Sequence, residues 1–148
     1  MDKLTEILQT AKSRAAQNNL PYEGALTPQE TFDLLAVKEN IVLVDVRSRA
    51  ELDLVGRIPE AQHIEWAFYP GMVPNPDFAT QLKTIIDKNV TIVFMCRTGG
   101  RSHNAAVVAQ GLGYKVYNML EGFEGEANAE KQRTLINGWK HAGLPWTN

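Results

Sequence analysis

Two short, unbroken apolar runs constrain this chain most: "NIVLVDVR" near residue 41 and "VTIVFM" near residue 91. Each is rich in Val and Ile and too short for a helix, so each is expected to be a buried strand. A strand without polar alternation must be covered on both faces, which is the habit of parallel sheets. Helix-like segments stand between the runs. "TPQETFDLLA" offers Thr27 as N-cap, Pro28 at the first helical position and Glu30 to close a capping box. "SRAELDLVG" repeats that logic, with Ser48 as cap, Glu51 three residues on and Gly56 as the stop. "FATQLKTIID" and "SHNAAVVAQGLGY" carry helical spacing, and "AQHIEW" and "YKVYNML" read as further strands. Alternating helices and strands predict an α/β fold with a central, mostly parallel sheet and helices on both faces.

The flanks are read more simply. Leu4, Ile7, Leu8 and Ala11 predict an amphipathic N-terminal helix that "NNLPYEG" breaks. Residues 1–23 are expected to be a helical extension and residues 24–148 a single domain. "YPGMVPNPDF" is expected to be loop. "EGFEGEANAEKQRTLINGWKHAGLPW" is expected to start as loop, continue as helix and anchor itself through Trp139 and Trp146. His63 is expected beside a strand, His141 on the surface and His103 solvated at a helix start.

Composition narrows the function classes. The net charge is -2 and the basic residues are scattered, so neither nucleic acid nor a membrane is an expected partner. The N-terminus lacks a secretion signal's apolar stretch. The single cysteine, Cys96, permits no internal disulfide, and three separated histidines suggest no metal site. A reducing, cytoplasmic setting is expected.

Cys96 directly follows the second apolar run, where open α/β sheets place their ligands. The loop Arg97, Thr98, Gly99, Gly100 and Arg101 comes next, and Ser102 is expected to open a helix. Two adjacent glycines let the loop curl so that successive N–H groups point inward as an anion-binding nest. The helix N-terminus adds free N–H groups and partial positive charge. Arg97 and Arg101 add full charges able to attract and orient an anion. All of these favour a thiolate, so Cys96 is expected to be a nucleophile.

"CRTGGRS" resembles the active-site loop of the rhodanese family of sulfurtransferases. "VLVDVRSRAELDLVGRIPEAQHI" and "NMLEGFEG" are similar to that family's other recurrent stretches, so the resemblance spans residues 24–146. It implies a single-domain rhodanese-like fold and a two-step transfer without a cofactor. Cys96 would take sulfane sulfur from thiosulfate or a persulfide, carry it as a persulfide held by residues 97–102, and pass it to a small thiophilic acceptor or a protein. It also implies that Asp45, at the end of the first run beside Arg47, pairs with Arg57 to support the loop. Trp66 and Phe123 would wall the pocket. Two other readings compete. A cysteine phosphatase or arsenate reductase would place five residues between Cys and Arg, where this chain has four. A binding or redox-sensing module would use the same thiol without turnover. Oligomeric state is open at this level.

Overall fold

In the computed structural model, which describes residues 2–148, the two apolar runs become β2 (Ile41–Asp45) and β6 (Thr91–Met95). They pair in parallel with Asp45 opposite Met95. The five-stranded sheet also contains β1 (Gly24–Leu26), β3 (Gln62–His63) and β7 (Val116–Met119), in the order β1-β7-β6-β2-β3. Every pairing in it is parallel.

Side-chain alternation explains why β6 is apolar throughout. Ile92 and Phe94 enter one buried cluster and Val93 and Met95 enter another. The first cluster lies under α4 (Phe78–Ile85) and α5 (Gly100–Gly111), through Phe78, Leu82, Ala105, Ala106 and Ala109. The second lies under α1 (Lys3–Gln17) and α2 (Pro28–Val37), through Ile7, Ala11 and Leu34. Helices therefore cover both faces, as the sequence predicts. The two capping boxes form as read, at Thr27 with Glu30 and at Ser48 with Glu51, the second opening α3 (Arg49–Val55). α1 packs closely: Arg14 is paired with Glu30 of α2 and donates to Ala25 O at 2.9 Å.

Four local expectations change. The Pro-rich loop contains a strand, β5 (Val73–Pro74), which pairs antiparallel with β4 (Ala67–Phe68) as a small separate hairpin. Strand β1, unforeseen, forms an edge on β7. α5 begins at Gly100, not Ser102, because Gly99 supplies the cap with φ 112°, a left-handed conformation that favours glycine. The expected C-terminal helix is absent: the segment runs through turns, with positive φ at Lys131, Thr134, Gly138 and Gly143. Trp139 is nonetheless buried as an anchor and donates to Pro145 O at 2.8 Å, and the partly exposed Trp146 packs edge-to-face against Phe123 with Lys140 Nζ 3.9 Å from its ring. No helix among the described residues is long and apolar enough to cross a membrane.

Candidate active site

The sheet delivers two chain exits side by side, after β2 and after β6. Cys96 leaves β6 with its side chain among the first core cluster, almost fully covered. Its Sγ receives the Gly99 N–H at 3.1 Å and the Ser102 hydroxyl at 3.4 Å. The amides of Thr98, Gly100, Arg101 and Ser102 find no acceptor among the described residues. Unspent N–H groups gathered at a helix start are an anion site in waiting. The residues singled out from 96 to 102 are thus brought together, but only one amide reaches the sulfur directly.

Gly99 is the pivot of the loop. Its carbonyl accepts from His103 N at 3.0 Å, from the Ser102 hydroxyl at 3.1 Å and from Asn118 Nδ2 at 3.3 Å. Fixing that carbonyl fixes the peptide plane it shares with the Gly100 N–H, one of the amides without an acceptor among the described residues. Asn118 is a buried polar residue within β7, and its Oδ1 has no partner. Tyr22 Oη lies 2.7 Å from His103 Nδ1, so His103 is held rather than solvated. Burial raises the Tyr22 pKa despite a counteracting bond with Asn118, which keeps the hydroxyl a donor.

The loop is buttressed from behind by the segment after β7. Phe123 N donates to Cys96 O at 2.8 Å and Glu124 N to Arg97 O at 3.1 Å. That close approach requires Gly122, with φ 71°: a Cβ there would meet the Arg97 backbone and lie 2.6 Å from Cys96 O. Phe123 is itself fully buried, not a pocket wall. Its ring packs at 4.2 Å under the Arg47 guanidinium.

The expected Asp45–Arg57 pair does not form. Asp45 is bound instead by Arg47, two residues on: Nη2 donates to Oδ2 at 2.7 Å, Nε to Oδ1 at 3.0 Å, and the Arg47 backbone N–H to Oδ1 at 3.0 Å. Arg47 is wholly buried and also donates to Gly56 O at 2.9 Å. Arg57 is drawn to Asp53, its neighbour one helical turn back, at 2.7 Å.

Arg101 is not a free cation either. It forms a two-pronged pair with Glu51, at 2.7 and 2.9 Å. Ser48 adds two donors to the same carboxylate, its hydroxyl at 2.9 Å and its N–H at 3.1 Å. Burial pushes the Glu51 pKa up, but the hydrogen bonds and charge of Arg101 and the Ser48 donors outweigh it and bring it down to about 2. Arg101 is correspondingly held more firmly protonated, the attraction of Glu51 overcoming the cost of burial.

A cleft of about 630 Å³ opens beside the loop. Arg97, Arg101 and Glu51 line it on one side and Trp66, Tyr69, Met72 and Pro74 on the other. Trp66 lines this cleft, and the hairpin turn after β4 supplies further lining residues that the sequence did not single out. Arg97 is exposed and forms no ion pair among the described residues.

The family model for the rhodanese-like domain matches residues 27–129, from the cap of α2 to beyond the buttress. The chain belongs to the rhodanese-like family. It is 37% identical over 120 residues to an uncharacterised protein of Rickettsia conorii, covering 79% of this chain and 91% of that one. It is 34% identical over 91 residues to the Bacillus subtilis protein YtwF, whose name assigns it provisionally to the sulfurtransferases; the match covers 60% and 78% of the two chains. Among solved structures, M. tuberculosis Rv0390 is 37% identical with a TM-score of 0.77, covering 84% of this chain and 97% of that one. The rhodanese-like domain thus accounts for the fold and places the protein in a coarse enzyme class.

Proposed function

We propose that this rhodanese-like protein is a sulfurtransferase in which Cys96 is the nucleophile. One observation carries the reading: Cys96 Sγ takes the Gly99 N–H at 3.1 Å at the mouth of a helix whose first amides have no acceptor in the described chain. Neutral amides solvate an anion without delivering a proton, which suits a thiolate before transfer and a persulfide after it.

The Cys96 thiolate attacks the outer, sulfane sulfur of a donor. The S–S bond to Cys96 forms as the donor's S–S bond breaks, and its electron pair leaves with sulfite or a thiolate. In the second half-reaction an acceptor thiolate or cyanide attacks the outer sulfur and Cys96 departs as thiolate. No net oxidant is required, and the sequence is ping-pong. Arg97 draws an anionic donor toward the cleft, and residues 98–102 hold the transferred sulfur. Both partners are small molecules in the simplest form, or a protein on the acceptor side. A reducing cytoplasm, which keeps a lone thiol free, suits this chemistry.

The test is intact-mass spectrometry after incubation with thiosulfate and, separately, with an organic persulfide, without reductant. A gain of one sulfur atom mapped to Cys96 is expected, and none in Cys96→Ser, which should fold normally. Rapid hydrolysis of an aryl phosphate, with no sulfur gain from either donor, would establish the phosphatase reading instead.

A further inference from the structure

The segment between α1 and β1 reaches the Cys96 loop from outside it. Leu20 N donates to Ala15 O at 2.9 Å, which folds the chain back from the end of α1, and Glu23 N donates to Val116 O at 2.9 Å, which hangs it on β7. Tyr22 lies between these two ties and is 5% exposed. Its ring meets the His103 imidazole edge-on, with centroids 5.5 Å apart, and its hydroxyl lies 2.7 Å from His103 Nδ1. The same hydroxyl faces Asn118. Burial raises the Tyr22 pKa and the Asn118 side chain opposes that rise, as a group donating to the phenol oxygen does. Asn118 Nδ2 carries two hydrogens, and it also donates to Gly99 O at 3.3 Å. Its Oδ1 is buried with no partner among the described residues, so the facing of the amide rests on its Nδ2 contacts.

His103 and Asn118 converge on one atom. The His103 N–H donates to Gly99 O at 3.0 Å, beside the Asn118 amide. In a trans peptide the N–H points away from the C=O, so a Gly99 carbonyl drawn into α5 turns the Gly100 N–H out of the helix's N-terminal end. We infer that Tyr22 is a positioning residue of the sulfur-transfer site: its hydroxyl ties His103 to Asn118, the two residues that aim the Gly99–Gly100 peptide at the transferred sulfur. The inference rests on the proposed sulfurtransferase reading and adds to it a residue from another part of the chain. Tyr22 does not line the cleft, so it acts through those neighbours and not on the donor. A held peptide matters most in the transition state, as charge develops on the transferred sulfur, and little to the donor's arrival.

Single-turnover sulfur loading of Cys96 from thiosulfate, followed by intact mass across donor concentrations, tests this in wild type, Tyr22→Phe, His103→Ala, His103→Asn and the Tyr22→Phe/His103→Ala double variant. Tyr22→Phe keeps the packed ring and removes only the hydroxyl. Loss of one hydrogen bond's worth of aim should slow the saturated loading rate roughly 3- to 10-fold. The half-saturating thiosulfate concentration and the final fraction of Cys96 loaded should stay as in wild type. A merely structural role would instead lower that fraction, as part of the protein unfolds, and leave the rate constant alone. His103→Ala should slow loading as well, and the double variant should cost no more than Tyr22→Phe, because both changes cut the same chain of contacts. His103→Asn, which keeps a polar atom near the place of Nδ1, should recover most of the rate. A Tyr22→Phe rate equal to wild type, a loss confined to half-saturation or to the fraction loaded, additive losses in the double variant, or no recovery in His103→Asn would each overturn the inference and leave the sulfurtransferase standing. Failure of wild type to load from thiosulfate or from an organic persulfide would overturn both readings.

Discussion

Glu51→Gln isolates the ion pair that lines the cleft, Glu51–Arg101. The substitution preserves shape, and glutamine still completes the capping box with Ser48, so the helix start survives. What is lost is the charge facing Arg101 across 2.7 and 2.9 Å. A glutamate that falls from 4.5 to about 2 on folding is favoured in its charged form by roughly 3 kcal/mol. The two side chains remain 19% exposed, and solvent screening reduces the expected contribution to about 1–2 kcal/mol. The sign follows from the lowered value. Stabilisation is fully present above the unfolded-state value of 4.5 and is lost as pH falls from there through about 2. Urea unfolding of wild type and Glu51→Gln should therefore differ by about 1–2 kcal/mol at pH 7, a midpoint shift of roughly 1 M. The gap should close progressively between pH 4.5 and 2. Because the other carboxylates titrate in both proteins, the difference reports Glu51 alone. A gap unchanged at pH 2.5, or absent at pH 7, would refute the assignment of this pair as a stabilising contact.

Asp45→Ala should destabilise the fold by about 3–5 kcal/mol in the same assay, because it strands a fully buried Arg47 guanidinium with only Gly56 O and the Phe123 ring. Arg57→Ala should change stability by less than about 1 kcal/mol, since its pair with Asp53 is exposed; a loss as large as that of Asp45→Ala would reinstate the Asp45–Arg57 pairing. Asn118→Leu removes one of three donors to the Gly99 carbonyl. It should slow sulfur loading of Cys96 about 5-fold, the equivalent of roughly 1 kcal/mol, with Asn118→Asp failing to rescue because it loses the donor. Gly122→Ala should cost at least about 1–2 kcal/mol from its positive φ alone, and more from the clash with the loop backbone, read as a fall in both melting temperature and activity.

What was legible in the sequence is local. β2 and β6 announce themselves because a strand covered on both faces has no room for polar alternation. The Cys96 loop is legible because cysteine, glycines and helix start are contiguous, and the two capping boxes because their partners lie three residues apart. The misreadings share the opposite property. Glu51 finds Arg101 fifty positions away, and Tyr22 reaches His103 across eighty-one. No periodicity encodes either contact. Asn118 did leave a signal, a lone amide among "VYNM", and a polar group in a fully buried strand calls for a partner. The supposed C-terminal helix fails because "AEKQRTLINGWKHAG" has no uninterrupted apolar stripe: Asn128 before it accepts from the Glu130 and Gln132 N–H groups at 3.0 and 2.9 Å in a turn that no helix follows, and Gly138 and Gly143 turn left-handed within the stretch. The Asp45 misassignment is of another kind. Resemblance named a partner, but Arg47 reaches the carboxylate first, from two residues away, with its backbone N–H and its side chain together.

The two ion pairs divide the support of the site by how wet they are. Asp45–Arg47 is dry and lies beneath the exit of β2; both carboxylate oxygens of Asp45 are used and Phe123 lids the guanidinium, whose Nη1 has no partner among the described residues. Glu51–Arg101 is half-wet and joins α3, which follows that exit, to α5, which follows Cys96. The rigid base and the solvated clasp meet at Ser48, which directly follows Arg47 and donates to Glu51. Phe123 closes the circuit, since its N–H holds Cys96 O while its ring carries Arg47. A displacement of the dry pair must then reach the Cys96 loop by two routes, through Ser48 and through Phe123. Cancelling the charge of Arg101 has a chemical consequence as well. In the proposed sulfur transfer, a full cation against the outer sulfur would hold a persulfide too tightly for the second half-reaction, whereas amides and a neutralised arginine would favour arrival without opposing departure.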